Sequence, residues 1–275
     1  MNRLIRKLRH TRSWVHSSGI TDLPTAILLS ACRTRQPFAA NPRLSRFQGM
    51  IPRLRLHPRS LQGFSIDIDP SDVAELMIYE ECFVDGIYDF SVVTFEPDVV
   101  IDCGGFEGYF TLLAGARFPS ATFLAFEPHP ENYKLMCRNF ERNGIKVDAR
   151  REAVSNRNGE MSFLGAGFSG RLATAEVDDD TSMRVPVVNL CKIIDELAPA
   201  RLLLKLDVEG EEKHLIPELV HVLPPTSALF FESHDGDEAF DALAVRLQEA
   251  GFAVSRKRTR ADRFIDAFAA RTSRN

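Results

Sequence analysis

No apolar run in this sequence approaches the roughly 20 residues that span a bilayer; the best, AILLSA at residues 26–31, is far too short. A paired-cysteine pattern is also missing. The five cysteines, Cys32, Cys82, Cys103, Cys137 and Cys191, are odd in number and never spaced as C-x-x-C. That argues against a disulfide framework and against a zinc site. The basic start, MNRLIRKLRHTRSW, lacks the apolar h-region and the small-residue cleavage site of a secretory leader. Internal repeats and low-complexity segments are absent as well. Together these absences lead us to expect an unexported, cytoplasmic protein with reduced thiols.

What is present is ordinary in bulk and uneven in distribution. The 275 residues, 44% hydrophobic and 26% charged, suffice for one core, or one core with a small appendage. The net charge of −4 is the sum of a stretch at residues 1–60 with twelve basic residues and one acid, and a remainder with 22 basic and 37 acidic residues. The two parts therefore carry +11 and −15, and either meet different surroundings or lie against each other. Leu4, Ile5 and Leu8 among Arg3, Arg6, Lys7, Arg9 and Arg12 could form a basic amphipathic helix, which would make weak contact with an anionic membrane surface. The plainer alternative is a solvated extension packed on the acidic body. Nucleic acid is not expected, because no aromatic platform accompanies the scattered basic residues.

From about residue 98 onward, short β-rich runs alternate with helical stretches. DVVIDC (98–103), ATFLAFE (121–127), part of 145–154, RLLLKLDV (201–208) and SALFFES (227–233) read as buried parallel strands. The runs at 252–257 and 263–268 read as an antiparallel hairpin at the end. Pro130 and the pair Asn143-Gly144 bound a helix. Residues 155–183, rich in glycine and acids, read as an irregular flap; 185–190 reads as extended and 190–197 as a short helix. The expectation is a Rossmann-like α/β domain at 98–275 with a seven-stranded, mostly parallel sheet. A cap at 61–97, helical over 78–90, and a basic extension at 1–60 precede it.

The densest chemical signal is VVIDCGGFEG at 99–108, a buried strand ending in Asp102 and turning through Gly104, Gly105 and Gly108 into a helix. Such a turn lets the backbone approach a ligand and offers free N–H groups. Glu127 ends the next strand, where an acid accepts hydrogen bonds from ribose hydroxyls. Strand, glycine turn, helix, strand and acid describe a nucleoside-binding half-fold. A dinucleotide fingerprint would need glycine at position 103, which is Cys. The negative Asp102 suits the ammonium end of a methionine moiety and repels a pyrophosphate, which favours S-adenosylmethionine over NAD.

The stretches VVIDCGGFEGYFTLLA, FLAFEPHPENYKLMCRNFERNG, REAVSNRNGEMSF, VPVVNLCKIIDEL and LLLKLDVEGEEKHLI stand in this order between residues 99 and 216. In order, spacing and residue choice they resemble the FkbM-type methyltransferase family. That resemblance implies a class I methyltransferase fold, S-adenosylmethionine as cofactor, and transfer to a hydroxyl of a sugar, polyketide or related metabolite. By the same resemblance Asp102, Gly104 and Gly108 would line the methionine end, Glu127 the ribose, and Glu152 and Ala153 the adenine, with Asp207 at the mouth. The sequence departs from the family habit at Phe106, where Asn or His is common, and at Leu190-Cys191, where Leu-Asp is. A non-catalytic nucleoside-binding scaffold and an NAD-dependent oxidoreductase stand as alternatives.

A hydroxyl is a poor nucleophile, so a base worth about 10²–10⁴ in rate is expected. Asp207, Glu209 and His234, each just past a strand, are the candidates, with Lys205 pairing one of the acids. His129 and Asn132 are expected to fix the turn after Glu127. Asp207 with Glu209 could hold Mg²⁺ through oxygen, but two carboxylates two apart do not make a metal signature, so no metal is expected.

Overall fold

The computed structural model describes residues 16–19, 52–165, 170–172, 182–260 and 264–271. The basic amphipathic helix expected around Leu4, Ile5 and Leu8 lies outside them. The chain forms two compact units, residues 1–88 and 89–275. No helix among the described residues is long and apolar enough to cross a membrane.

In the first unit, β1 (Leu54–Leu56) pairs antiparallel with β2 (Ile66–Ile68). Helix α1 (Val73–Tyr79) follows and continues as a π-helical turn through Glu80–Asp85. Asp72 caps it by accepting the Ala74 and Glu75 amides, and Gly86 ends it at φ +66°. The helix thus spans 73–85 rather than the expected 78–90. Its start was written in Asp72 and Glu75, a capping-box spacing, and its stop in Gly86.

The second unit is built on a seven-stranded sheet. Its strands are β3 (Val99–Cys103), β4 (Thr122–Phe126), β5 (Val147–Arg150), β10 (Arg201–Leu206), β11 (Thr226–Ser233), β12 (Ala253–Arg260) and β13 (Phe264–Arg271). Their order is β12-β13-β11-β10-β3-β4-β5. Five strands run parallel, and β13 joins β11 antiparallel with β12 outside it. Helices α2 (Tyr109–Arg117), α3 (Pro130–Asn143), α4 (Leu190–Leu197), α5 (Glu212–Val222) and α6 (Asp237–Glu249) fill the connections. All five residues of β3 are buried, as a central strand covered on both faces requires. One face packs Ile101, Leu204 and Leu229 against Leu215, Leu219 and Leu247 of the helices. The other carries an aromatic cluster in which Phe90 meets Phe110, Phe118 and Phe230 edge-on. This is the class I methyltransferase fold.

Residues 155–183 do not form an irregular flap throughout. They contribute to a second sheet of four strands, β6 (Ala153–Ser155), β7 (Gly159–Leu164), β8 (Arg171–Leu172) and β9 (Ser182–Asn189), in the order β6-β9-β7-β8. Ala153, Phe163, Val185 and Val187 form its small core. Ser155 Oγ donates to Glu211 Oε2 at 2.7 Å, and Asn156 Nδ2 to Glu218 Oε1 at 2.6 Å, tying this sheet to α5. The single strand expected within 145–154 is two strands that belong to different sheets.

Candidate active site

The chain runs outward from β3 through β4 to β5, then returns to build β10 and β11 on the other side of β3. The carboxyl ends of β3 and β10 therefore flank a topological switch point, where open α/β sheets take their ligands. Asp207 N donates to Cys103 O at 3.2 Å, which holds the two strand ends together. A side chain at Gly104, φ +82°, would meet the Asp207 carbonyl at 1.9 Å. At Gly105 it would strike the Met136 sulfur at 2.6 Å, and at Gly108 the Phe140 ring at 2.5 Å. The three glycines are therefore demanded first by the protein's own packing.

Asp102 is fully enclosed. Its Oδ2 accepts from Thr111 Oγ1 at 2.7 Å, and its Oδ1 lies 3.4 Å from Lys205 Nζ. The carboxylate thus braces the turn through Thr111 and faces the Lys205 ammonium, while its buried Oδ1 accepts no hydrogen bond. That ammonium also donates to Gly104 O at 2.5 Å and sits 3.6 Å from Asp207 Oδ2, so Lys205 does pair with a strand-end acid.

Glu127 stands at the end of β4. Its Oε2 accepts the Phe106 amide and its Oε1 the His129 amide, both at 2.8 Å. The turn and the start of α3 thus aim one carboxylate, and each oxygen keeps a lone pair for a second donor. Burial lifts Glu127 from 4.5 to about 7, against the pull of the two amides and of Lys205. His129 reaches this turn through its backbone amide alone, its side chain making no cap, and buried Asn132 lies in the first turn of α3. Phe106 adopts φ +50°, a left-handed conformation that Asn tolerates and a bulky residue resists. Its ring packs edge-on against Tyr109. Past β5, Glu152 carries a buried Oε2 with no hydrogen-bond partner, beside buried Ala153. These groups fit an adenosine: a carboxylate for ribose hydroxyls and an unmatched acceptor suited to an exocyclic amine.

Beyond β10 and β11 the acids gather around one imidazole. Nε2 of His234 lies 3.3 Å from Glu209 Oε2, 3.8 Å from Asp207 Oδ1 and 3.8 Å from Glu232 Oε1. Nδ1 makes a bent contact with Glu212 Oε1 at 3.2 Å. Burial opposes a charged ring here, but the Glu212 contact and the charges of Glu212, Asp207 and Glu209 outweigh it and lift His234 from 6.5 to about 10. The raised value makes the ring a proton holder at neutral pH, with Asp207, Glu209 and Glu232 the carboxylates around its Nε2. Glu209 stands outside the helix that follows it. It lies in the preceding loop at φ +53°, and α5 begins at Glu212. Glu212, in sequence an ordinary acid opening a helix, accepts the Val208 amide at 2.9 Å and the Gly210 amide at 3.0 Å, and so shapes that loop. Glu232 was missed as well, because it sits within an apolar strand.

Strand ends bearing a glycine turn, a ribose-type acid and a polar mouth define a methyltransferase of the class I type. The Methyltransferase FkbM domain family matches residues 102–254, more than half of the chain, and the protein belongs to that family. Methyltransferase 1 of Beauveria bassiana is 27% identical over 178 residues, covering 56% of this chain and 71% of its own. The hexuronic acid methyltransferase AglP of Haloferax volcanii is 24% identical over 147 residues, covering 53% of this chain and 60% of its own. Among solved structures, the methyltransferase FkbM of Methylobacillus flagellatus aligns with 98% of this chain and 60% of its own at 13% identity and a TM-score of 0.44.

Proposed function

We propose that this protein transfers a methyl group from S-adenosylmethionine to a hydroxyl of a small or glycan-like acceptor. The observation that carries the reading is the Glu127 carboxylate, fixed at the carboxyl end of β4 by the Phe106 and His129 amides. Glu127 would hold the ribose hydroxyls, Glu152 the adenine amine, and the turn from Gly104 to Gly108 the amino-acid tail through its backbone. When bound, the donor supplies an electrophilic methyl on a sulfonium.

The chain's own part is then positioning and proton handling. Holding donor and acceptor in a near-attack pose supplies roughly 7–11 kcal/mol. Asp207 and Glu209, both partly exposed, face the place where an acceptor hydroxyl would sit. Glu209 takes the hydroxyl proton as the methyl–oxygen bond forms, and the His234 ring, beside Glu209 and Asp207, positions both carboxylates. The acidic mouth favours a neutral acceptor hydroxyl over one flanked by phosphate or carboxylate.

Calorimetry with S-adenosylmethionine, S-adenosylhomocysteine and NAD, followed by labelled-methyl transfer to a panel of hydroxyl acceptors, tests the reading. Heat with the first two compounds and none with NAD is expected. A folded sample that binds neither sulfur compound overturns it.

A further inference from the structure

Three donor atoms from the ends of the two neighbouring strands β10 and β11 converge on one point. Asp207, Glu232 and His234 each place a ligand-type atom within 4.8 Å of the others. Nε2 of His234 stands 3.8 Å from an oxygen of each carboxylate. Donors around an ion held at about 2.1 Å stand roughly 3–4 Å apart, so a small contraction closes the set. We propose that Asp207, Glu232 and Nε2 of His234 bind a divalent first-row transition ion, with Glu209 at its rim.

Carboxylates gathered together would not single out a metal; the imidazole does. The His234 side chain is only 8% exposed and is held from behind. Its Nδ1 faces Glu212, whose own oxygens are pinned by the Val208 and Gly210 amides. The Phe264 ring packs edge-on at 5.4 Å against the imidazole. Glu212 behind Nδ1 and Phe264 at its edge hold the ring with Nε2 turned outward, and a carboxylate on that side is the partner that orients metal-ligating histidines. Here Nε2 is turned toward three carboxylates at once. The ion takes the place of the proton on Nε2, and that proton leaves to solvent.

The donor chemistry selects the ion. One imidazole nitrogen with two carboxylates suits Mn²⁺, Fe²⁺, Co²⁺ or Zn²⁺, whereas Mg²⁺ and Ca²⁺ take oxygen ligands. Reading Asp207 and Glu209 as an oxygen-only pair concealed this, because Glu232 and His234 come from another strand. Three protein ligands leave coordination positions open. An acceptor hydroxyl bound there becomes more acidic, and Glu209, 3.3 Å from Nε2, stands ready for its proton. This purpose for the ion rests on the methyl-transfer reading; its binding does not.

The test is a Mn²⁺ titration of the full chain, read by loss of the free-ion electron paramagnetic resonance signal. Expected is saturable binding of one ion per chain that excess Mg²⁺ does not displace. Asp207→Asn and Glu232→Gln should each abolish it. Glu212→Gln should weaken it about 10–100-fold through the loss of ring orientation, while Glu249→Gln, at the far end of α6, leaves it unchanged. Circular dichroism melts verify that each variant folds. No binding by wild type, or binding that survives both Asp207→Asn and Glu232→Gln, overturns the proposal. Retained S-adenosylhomocysteine heat in a protein without Mn²⁺ binding sinks the metal and leaves the methyl-donor reading standing. Loss of that heat with intact Mn²⁺ binding does the reverse.

Discussion

Replacing Glu127 with glutamine removes a carboxyl that burial lifts from 4.5 to about 7. Between those values the folded chain holds a proton that the unfolded chain has released. Stability from this group is therefore complete below pH 4.5 and is lost as pH rises through 7. Each tenfold change in ionisation is worth about 1.4 kcal/mol, so the loss over the whole window is about 3 kcal/mol. Glutamine does not titrate, but its amide NH₂ would face either the Phe106 or the His129 N–H, at a cost of about 1–3 kcal/mol at every pH. Urea denaturation of the ligand-free protein from pH 5 to 8.5 should then show wild type the more stable at low pH, with the gap shrinking or reversing at high pH. Curves that stay parallel within about 0.5 kcal/mol would refute the buried-carboxyl argument. The same titration governs the donor site. If ribose hydroxyls require the ionised form, the competent fraction of free protein rises from about one-eleventh at pH 6 to about ten-elevenths at pH 8. Affinity for S-adenosylhomocysteine should improve about tenfold over that range in wild type, and stay flat and weak in the glutamine variant.

Gly104→Ala combines a left-handed backbone with an overlap on the Asp207 carbonyl, so a loss of about 2–5 kcal/mol is expected in chemical denaturation. Phe106→Asn relieves a bulky residue at φ +50° but gives up the edge-on contact with Tyr109. These terms nearly cancel, and stability within about 1 kcal/mol of wild type is expected. Arg271 donates to the carbonyls of Leu223, Pro224 and Ala250 after α5 and α6, so Arg271→Ala should cost about 2–4 kcal/mol, read as a lower denaturation midpoint. His234 is raised from 6.5 to about 10, so the stability it brings is complete below pH 6.5 and drains away as pH rises toward 10. His234→Gln should lack that loss between pH 7 and 9.5, and an equal loss in both proteins would remove the carboxylate cage as its cause.

The main sheet was legible because strands buried on both faces leave nearly unbroken apolar runs, and β3, β4, β10 and β11 each end such a run at a glycine or an acid. The second sheet was not legible, for the converse reason. Its strands bury little beyond Ala153, Phe163, Val185 and Val187, and the intervening glycines and acids outweigh that faint alternation. Arg151 and Glu152 mark where the chain leaves one sheet for the other, and no local feature there distinguishes a strand break from a strand continued. In the first unit the signal was present, since Asp72, Glu75 and Gly86 mark the true ends of the helix, but the run IYEECF drew the boundary toward the C-terminus.

The site divides along a similar line. Asp102, Glu127 and Asp207 could be placed from sequence because each lies at or just past the end of a strand, and the period of a βαβ unit brings those ends to one edge whatever the side chains do. Their roles were less legible. The glycines were expected to admit a ligand, yet the atoms that forbid a side chain at Gly104, Gly105 and Gly108 belong to Asp207, Met136 and Phe140. Glu212 and Glu232 could not be found by position at all. In sequence one is an ordinary acid opening a helix and the other an interruption in FFES. Only the parallel pairing of β10 with β11, which puts Leu206 beside Phe231, brings residues 207–212 alongside residues 232–234. Four acids then share one histidine, so the protonation of His234 belongs to the cluster rather than to the ring. Any mechanism that assigns a proton to this imidazole must therefore state what neutralises Asp207, Glu209, Glu212 and Glu232.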